Sequence, residues 1–417
     1  MKSKTEKIQW INGKTLVVGV DIGKTLHYGY LRAPNGKHVA PFCFSNFTAG
    51  FKDFWEKILQ FQKQEGLKDI VIGFESTGPY AEPLVHYLRN KPVKMVQVNP
   101  MHTKRVKELT GNSPNKTDKK DPRVITDVIC LGHALTVVVP QGAAADLRRL
   151  TQARERALDS RRGMMNQLQH LVFVIFPELL SIVKPSTKTG MYFIRNYTTP
   201  ETIFALGLES VTKVLKKVSR GKLGHERAKE IFEAARNSIG IHEGKESIIL
   251  EIDHLVSKIE AEDQFIDNLQ KQMANYLRQI PYSGSLLSIK GIGKVTVAGL
   301  IGEVGDFRNF KTIPEIMKLA GLDLYEVSSG KHKGQHHISK RGRSLMRKLL
   351  FFAAINAVKS HGIMHERYQE MLDRGMPRIK ALIAISRKLL RIIFAIARDN
   401  VEYVKNYNQI HHYDLAA

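Results

Sequence analysis

TLVVGVDIGK, residues Thr15 to Lys24, sets the architecture of the first part of the chain. Thr15 to Val20 is a short, β-branched and almost wholly apolar run, which is typical of a strand buried on both faces. The run ends at Asp21, and an acid in that position lies at the sheet edge where open α/β sheets bind their ligands. Gly23 then allows a close turn. The alternative is that Asp21 and Gly23 only begin an ordinary turn.

The same pattern returns further along the chain, where DIVIGF, Asp69 to Phe74, is a second short buried strand that ends on an acid, Glu75. Between the two runs, the alternation of apolar residues and a PNGK turn predict two more strands, followed by a helix with regularly spaced phenylalanines. After Glu75 we expect a short helix, a fifth strand and a basic helix. The predicted elements cover residues 15–20, 27–31, 38–44, 51–61, 69–74, 83–88, 93–98 and 100–109.

Three sequential antiparallel strands, followed by a fourth strand after a helix, describe a ribonuclease H-like arrangement. In that arrangement the first and fourth strands are neighbours at the centre of the sheet, which would bring Asp21 and Glu75 together. Two like charges that close need a cation between them or a shared proton.

The next acids lie in NKTDKKDPR, residues 115–123. Asp118 and Asp121 are three residues apart, so in the first turn of a helix both carboxylates would lie on one face. Four carboxylates could hold a pair of hard divalent cations such as Mg²⁺. The alternative is a solvated helix start whose acids only favour the helix dipole. The cations of this stretch, which we expect to bind nucleic acid, are Lys116, Lys119, Lys120 and Arg123.

Beyond residue 143 the sequence pattern becomes helical. Apolar residues spaced by three and four predict a long helix that ends near Pro177, whereas residues 185–200 look like a loop and residues 202–235 like short helices. Within residues 248–280, apolar residues recur at alternating spacings of four and three. Glu262 is the one charged residue at a repeat position. This repeat predicts either a coiled-coil seam for self-association or a helical hairpin folded against the first long helix.

The last third of the chain contains two features typical of phosphate binding. The GIG of Gly291 and Gly293, between apolar stretches, resembles a helix-hairpin-helix turn, whose backbone N–H groups can hold a DNA phosphate. Residues 331–348 contain seven Lys or Arg and no acid. Just before them stands Ser329, and a serine among fixed cations can attack phosphorus. The cations of this segment that we expect to bind nucleic acid are Lys331, Lys333, Lys340, Arg341 and Arg343.

Composition points to a polyanionic partner. Among the 417 residues, 64 Lys and Arg against 40 Asp and Glu give a net charge of +24, which is typical of nucleic-acid binding; a basic membrane-associated protein is the alternative. Cys43 and Cys130 lack a CxxC spacing, which argues against a disulfide framework or a zinc site, and both are predicted to be buried thiols. No apolar run reaches the length of a membrane span and the first residues lack a signal-peptide core, so we expect no membrane partner and a cytoplasmic location.

Several motifs together resemble one family. GVDIGK, GFESTGPY, VNPMHTKRVKEL, KTDKKD, IKGIGKVTVAGLIGEVGDF, AGLDLYEVSSG and HISKRG occur in the order expected for the IS one-ten family of insertion-sequence transposases. These are DEDD, Piv-invertase-like serine recombinases that a bridge RNA guides to DNA. The resemblance covers residues 15–157 and 282–354, and residues 177–244 have no place in the family pattern.

The resemblance implies a fold, a site and partners. The fold is α/β plus all-α: a RuvC-like, RNase H-like DEDD domain at residues 1–144, a helical and coiled-coil region at 145–280, and a helical transposase domain with the helix-hairpin-helix-like turn at 281–417. The resemblance implies a metal site made of Asp21, Glu75, Asp118 and Asp121 with Mg²⁺, or Mn²⁺ as the alternative. It also implies that Ser329, directly preceded by Ser328, is the catalytic serine. The partners are donor and target DNA, the bridge RNA and further copies of the chain, as a dimer or tetramer.

Three other hypotheses fit parts of the sequence. A RuvC-like metal-dependent nuclease would use water as the nucleophile and leave Ser329 incidental. A sugar or acyl kinase of the actin-like fold shares the GVDIGKT pattern, but a second Asp-Gly phosphate strand and an adenosine-binding glycine pair are missing from the sequence. A non-catalytic nucleic-acid scaffold would bind DNA equally well after loss of all four acids.

Overall fold

The computed structural model describes residues 11–75, 78–110, 121–326, 334 and 336–404. Its contacts divide the chain into two compact units. The first consists of Met1–Val139, Asp306–Lys348 and Ser386–Phe394, and the second of Pro140–Gly305, Leu349–Ile385 and Ala395–Ala417. The domain limits expected at residues 144 and 280 stay a prediction.

Within the described residues, the first unit is built on a six-stranded sheet with the order β3-β2-β1-β4-β5-β6. Strand β1 pairs antiparallel with β2 and parallel with β4, and β4 pairs parallel with β5. The predicted antiparallel start and the central pairing of the first and fourth strands are therefore confirmed. The sixth strand is short and was not predicted. The strands are β1 Thr15–Asp21, β2 Leu26–Arg32, β3 His38–Ser45, β4 Asp69–Glu75, β5 Lys94–Val98 and β6 Ala134–Thr136.

Helices cover both faces of this sheet, so the central strands are apolar on both sides. On one face, Val18 and Ile72 join a core with Phe54 of the first helix. On the other face, Val17 and Val71 pack with residues of the fourth helix. Successive side chains of a strand point to opposite faces, which explains the continuous apolar runs. The helices are α1 Thr48–Gln64, α2 Glu82–Leu88, α3 Pro100–Thr110 and α4 Asp121–Cys130.

Helix α4 lies directly on two glycines of the central strands. A Cβ at Gly19 of β1 would overlap the carbonyl oxygen of Pro122, and one at Gly73 of β4 would overlap the side chain of Ile129. The missing side chains therefore let the helix backbone approach the sheet closely. This approach fixes where the first turn of α4 lies relative to the end of β1.

The two cysteines differ in exposure. Cys43 is exposed, so the prediction that it is buried was wrong. Its place on β3, at the margin of the sheet, explains this, because an edge strand is covered by neighbours on one side only. Cys130 is half-buried at the end of α4, and burial raises the pKa of its thiol.

The second unit is built around two long helices, α5 Ala143–Ile175 and α11 Lys245–Leu277, which pack against each other. The repeat predicted as a seam supplies the buried residues of α11, among them Ile252, Ile259 and Leu269. Arg161 of α5 also forms two hydrogen bonds with Asp263 of α11, at 2.5 and 3.1 Å. The structure thus supports the intrachain hairpin among the two interpretations of the four-three repeat.

Short helices connect the long pair: α6 Pro177–Ile182, α7 Lys188–Asn196, α8 Pro200–Leu206, α9 Leu208–Val218 and α10 His225–Arg236. The predicted short helices after residue 202 are confirmed, but the loop predicted for residues 185–200 was wrong, because α7 lies there. The hydroxyl of Thr187 accepts a hydrogen bond from the N–H of Gly190 and caps α7. A cap of this kind supplies a partner for an otherwise unsatisfied N–H of the first turn.

The remaining described elements are α12 Ser283–Leu287, α13 Lys294–Val304, α14 Ile313–Ala320, the hairpin strands β7 Leu324–Tyr325 and β8 His337–Ile338, and α15 Ser344–Ala357, α16 His365–Asp373 and α17 Arg378–Asp399. Across the described residues, none of the helices combines the length and the apolar composition that crossing a membrane would require.

The close approach of α4 to the sheet predicts that Gly19→Ala destabilises the protein. The new methyl group would displace the helix, at a cost of about 1–3 kcal/mol, and would lower the melting temperature measured by circular dichroism. Gly163→Ala is the control, because Gly163 lies in α5 with no atom within 4 Å of the added methyl group. That change removes a flexible residue from a helix and should stabilise by about 0.5–1 kcal/mol. Equal melting temperatures for Gly19→Ala and the unchanged protein would contradict this packing.

Candidate active site

Asp21 and Glu75 lie at the same edge and on the same face of the sheet. Parallel pairing of β1 with β4 ends at Val20 opposite Phe74, and each acid is the next residue of its strand. Because strand residues alternate between faces, Asp21 follows Val17 and Gly19 on the side that α4 covers, and Glu75 follows Val71 and Gly73 there. Both acids are half-buried. The structure therefore brings these two predicted site residues together.

Asp121 lies near this edge because it begins α4. The next residue, Pro122, packs its carbonyl oxygen against Gly19, two positions before Asp21. The Asp121 carboxylate forms an ion pair with Lys107 of α3, with 2.5 Å between Oδ1 and Nζ. An acid in a first helical turn is also stabilised by the helix dipole. Three of the four predicted acids thus lie around one edge of the sheet, with a fixed positive charge beside them.

The fourth acid, Asp118, and the cations Lys116, Lys119 and Lys120 lie outside the described residues. Arg123 is described and is exposed on the first turn of α4. Burial raises the pKa of Tyr30 on β2, and the positive charge of Arg123 opposes that rise. Arg123 therefore acts electrostatically on the strand next to β1.

Glu75 has a partner that sequence reasoning missed. The hydroxyl of Thr103, a buried residue of α3, donates a hydrogen bond of 2.8 Å to Glu75 Oε2. The same hydroxyl lies 2.8 Å from the carbonyl oxygen of Pro100. Thr103 therefore restricts the orientation of the carboxylate. The only signal in the sequence was the position of Thr103 just after β5. This strand runs parallel to β4 and ends at the same edge of the sheet.

Asn46 connects the turns that follow the two acid-bearing strands. Its Nδ2 donates to the carbonyl oxygen of Lys24 at 3.1 Å and to that of Tyr80 at 3.2 Å. Lys24 lies in the turn after β1, and Tyr80 in the 3₁₀ turn Pro79–Ala81 that follows β4. One amide therefore holds both turns at a common position.

A buried histidine supports the first of these turns. The Gly23 N–H donates to Nδ1 of His27 at 3.2 Å, which requires the ring to be uncharged on that nitrogen. Burial lowers the pKa of His27, and its contact with the Asn46 side chain opposes that shift. The neutral ring thus accepts from the turn that carries the chain away from Asp21.

The chemistry of the acid edge suits a hard cation, since carboxylate oxygens are the ligands that Mg²⁺ takes from proteins. Asp21, Glu75 and Asp121 provide such oxygens, and the Lys107 ion pair shows that Asp121 already faces a positive charge. Among the described residues, however, no three acid, histidine or cysteine side chains are grouped closely enough to hold a metal ion. The predicted fourth ligand is not among those residues.

The segment around the predicted serine is anchored in the first unit. Ser328, Ser329, Lys331 and Lys333 lie outside the described residues, but the hairpin β7–β8 that flanks them is described. At its base, Arg347 donates to the carbonyl oxygens of Ala320 and Gly342 at 3.0 and 2.9 Å, and Arg387 Nε donates to that of Leu322 at 2.9 Å. Burial lowers the pKa of both guanidinium groups. These arginines hold the ends of the hairpin by backbone contacts.

Two predicted cations connect this segment to elements of the sheet domain. Arg341 Nη2 lies 3.7 Å from Sδ of Met101, at the start of α3, and Arg343 donates to the carbonyl oxygen of Val138 at 3.1 Å. Since α3 begins directly after β5, Met101 is near the carboxyl edge of the parallel strands. Lys340 is exposed and adopts a left-handed conformation with φ 53°. Arg341 thus lies close to the sheet edge that carries the acids.

The predicted GIG turn is part of the second unit. Gly291 has φ 93°, which favours glycine, and Gly293 immediately precedes α13. The short helix α12, this turn and α13 have the order expected for a helix-hairpin-helix turn. The N–H groups of the first turn of α13 are the candidate phosphate contacts.

Two family comparisons match the chain. Residues 18–177 match a family described as Transposase, and residues 283–369 match the Transposase IS116/IS110/IS902 family. A 43.6 kDa protein of insertion element IS110 from Streptomyces coelicolor is 23% identical over 93% of this chain and 95% of its own length. A 44.8 kDa protein of insertion element IS116 from Streptomyces clavuligerus is 26% identical over 68% of this chain and 71% of its own length. A pilin gene-inverting protein of Moraxella lacunata is 31% identical over 34% of this chain and 46% of its own length.

Both family matches are to transposases, a class of DNA-recombining enzymes that bind DNA. Together they include both the acid edge and the segment that follows the GIG turn. By these matches and by the names of its relatives, the chain is similar to the transposases of the IS116/IS110/IS902 family.

The double role of Asn46 predicts that Asn46→Ala loosens both turns at once. Loss of its two hydrogen bonds should cost about 1–3 kcal/mol of stability, at about 0.5–1.5 kcal/mol for each. Amide hydrogen exchange, followed by mass spectrometry, should become faster in peptides covering the turns after β1 and after β4. The control is Asn35→Ala, since Asn35 also takes part in two hydrogen bonds of 3.0 Å, with Glu65 and Lys37, but neither involves the turns after β1 and β4. Faster exchange in only one of the two turns would contradict the connection.

Proposed function

We propose that the protein exchanges DNA strands at the acid edge, with Asp21, Glu75, Asp118 and Asp121 as metal ligands and Ser329 as the nucleophile. The observation that carries this proposal is the meeting of Asp21 and Glu75 at the ends of paired parallel strands, beneath the helix that begins at Asp121. A ribonuclease H-like fold accounts for this strand order.

The described residues on both sides of the serine support a single combined site. Residues 306–326 and 336–348 belong to the same compact unit as the sheet. Arg341 of that segment lies beside Met101, close to where the parallel strands end. Acids and serine could therefore act on one phosphate within one chain.

The four acids would hold Mg²⁺, or Mn²⁺ as the alternative, which supplies positive charge to neutralise a phosphate undergoing substitution. The chain itself orients these acids. Thr103 restricts Glu75, Asn46 holds the turns that follow both strands, and the packing of α4 on Gly19 positions the start of that helix. Cations of the serine segment, Lys340, Arg341 and Arg343 among them, would hold the DNA backbone beside the serine.

The serine chemistry preserves the energy of the phosphate ester bond, which is needed for rejoining. The Ser329 oxygen forms a bond to phosphorus while the bond from phosphorus to a deoxyribose oxygen breaks, and the serine proton ends on that leaving oxygen. A hydroxyl group of another DNA end then attacks the phosphoserine, which restores the serine and creates the recombined phosphodiester. No energy source is required, because one phosphate ester replaces another.

The choice of DNA sites and the assembly are also part of the proposal. We propose that a bridge RNA selects donor and target DNA by base pairing and that copies of the chain associate as a dimer or tetramer, acting in the cytoplasm. The resemblance to the family motifs supports both points, and the net charge of +24 suits a protein that holds RNA and DNA backbones.

A RuvC-like nuclease, in which water attacks the phosphate, is the second candidate function. The same acid edge supports a nuclease, because water activated by a metal ion can attack a phosphate without a serine. The name of the Moraxella lacunata relative, a pilin gene-inverting protein, favours rejoining over cutting alone.

Replacement of the serine separates the two functions. Ser329→Ala should abolish recombination and the covalent protein–DNA adduct seen after denaturing electrophoresis, because the attacking oxygen is gone. Binding of DNA and RNA should persist. Ser328→Ala, the matched control one residue away, should still recombine DNA and form the covalent adduct. Metal-dependent cutting of DNA by Ser329→Ala would favour the nuclease, and undiminished recombination would refute the nucleophile assigned here.

A further inference from the structure

The helical region between the two family matches carries a concentrated group of cations. Residues 178–282 lie outside both matches. Within them, residues 213–222 contain five Lys or Arg and no acid. We call these five residues the α9 cluster: Lys213, Lys216, Lys217, Arg220 and Lys222.

Helix α9 is buried along one side, and the cations of the cluster on this helix lie on the opposite side. Val211 and Leu215 are fully buried, and Ser219, just after the helix, is buried as well. All five cations are exposed. Helix α9 is thus held in the second unit by its apolar side while its charged side faces solvent.

The turn after α9 places the last two cations. Arg220 and Gly221 are consecutive left-handed residues, with φ 54° and 79°. The Gly221 N–H donates to the carbonyl oxygen of Lys216 at 2.8 Å, and the Leu223 N–H donates to Oγ of Ser219 at 2.9 Å. These bonds close the turn against the helix end, so Arg220 and Lys222 extend the row of cations begun on the helix.

The cluster repels itself. On α9, Lys213 lies three residues before Lys216 and four before Lys217, spacings that make like charges neighbours on a helical face and destabilise it. The negative end of the helix dipole compensates only for cations of the last turn. An arrangement with this internal repulsion gains most from an anionic partner.

Three other cations of the same region form ion pairs within the chain. Arg195 pairs with Glu260 at 2.6 Å, Arg227 with Glu230 at 2.5 Å, and Lys245 with Glu201 at 3.3 Å. None of the five cations of the α9 cluster forms an ion pair with an acid of the described part of the chain. The five positive charges of this surface therefore lie together without a neutralising acid among the described residues.

We propose that the α9 cluster binds the sugar-phosphate backbone of duplex DNA. Lys213 to Lys217 spans about 6 Å along α9, a length over which one DNA strand presents about two phosphates, and Arg220 and Lys222 continue the row in the turn that follows. Lysine and arginine side chains on such a surface contact phosphates without reading bases. The surface adds a DNA contact outside the acid edge, and it does not depend on the catalytic roles proposed above.

Salt dependence of binding tests the surface directly. Full-length protein with Lys216→Ala, Lys217→Ala and Arg220→Ala would be titrated with fluorescent duplex DNA in EDTA at several salt concentrations. Each phosphate contact contributes about 0.9 to the slope of log K against log salt, so the slope should become shallower by about 2 to 3. The control is Lys188→Ala, Lys258→Ala and Lys271→Ala, which removes the same charge from exposed positions scattered over α7 and α11. Its slope should change by less than about 1.

Equal slope changes in the two triple variants would overturn the proposal, because only total charge would then matter. No change in either would overturn it too. A parallel titration with single-stranded RNA distinguishes the partner: an effect of the α9 substitutions on RNA alone would refute the duplex DNA assignment. Circular dichroism must show the same helix content for all three proteins and no fall in melting temperature for either triple variant. Because EDTA removes any metal and no cleavage is measured, failure here leaves the proposed strand exchange untouched.

Discussion

Parallel pairing of β1 with β4 is the constraint on which the acid edge depends. The two strands are separated by β2, β3 and α1 in sequence, yet their hydrogen bonds run in register from Thr15 opposite Asp69 to Val20 opposite Phe74. Because both strands end together, two acids that are 54 residues apart in the sequence become neighbours. A shift of one residue in this register would move one acid to the opposite face of the sheet.

The glycines of these strands complete the arrangement. Gly19 and Gly73 create a flat area on which α4 rests, and the start of that helix brings Asp121 to the edge. Around the acids, the polar contacts of Thr103 and Lys107 come from α3, and those of Asn46 from the segment between β3 and α1. The sheet thus sets the position of the acids, whereas the surrounding helices and turns set their orientation and charge environment.

Much of this architecture follows from local pattern. Continuous apolar runs that stop at Asp21 and Glu75 are enough to predict buried strands with acids at their ends. Hydrogen bonds between residues that are distant in the sequence produce no local pattern. The contacts made by Thr103 and Asn46 were therefore not predicted. Helix α7 was missed because its identity depends on the Thr187 cap and on packing within the second unit, not on a clear period. Strand β6 has three residues, too few for a pattern.

One ambiguity was inherent in the sequence. The four-three repeat of α11 suits a seam between two chains as well as a seam within one, since both bury the same apolar stripe. In the structure that stripe packs on α5, supported by the contact between Arg161 and Asp263. Association between copies of the chain, if it uses α11, must therefore use residues outside this buried stripe.

Binding of Mn²⁺ tests the central claim, that acids from distant parts of the chain form one metal site. Electron paramagnetic resonance would measure free Mn²⁺ during titration of the unchanged protein and of Asp21→Asn, Glu75→Gln, Asp118→Asn and Asp121→Asn. Asp127→Asn is the control, since Asp127 lies on the same helix α4 but pairs with Arg32. We expect each of the four substitutions to weaken binding at least about tenfold, as loss of a charged ligand does, and the control to leave it unchanged. Binding that survives all four substitutions, or that falls equally in the control, would contradict a site at this edge.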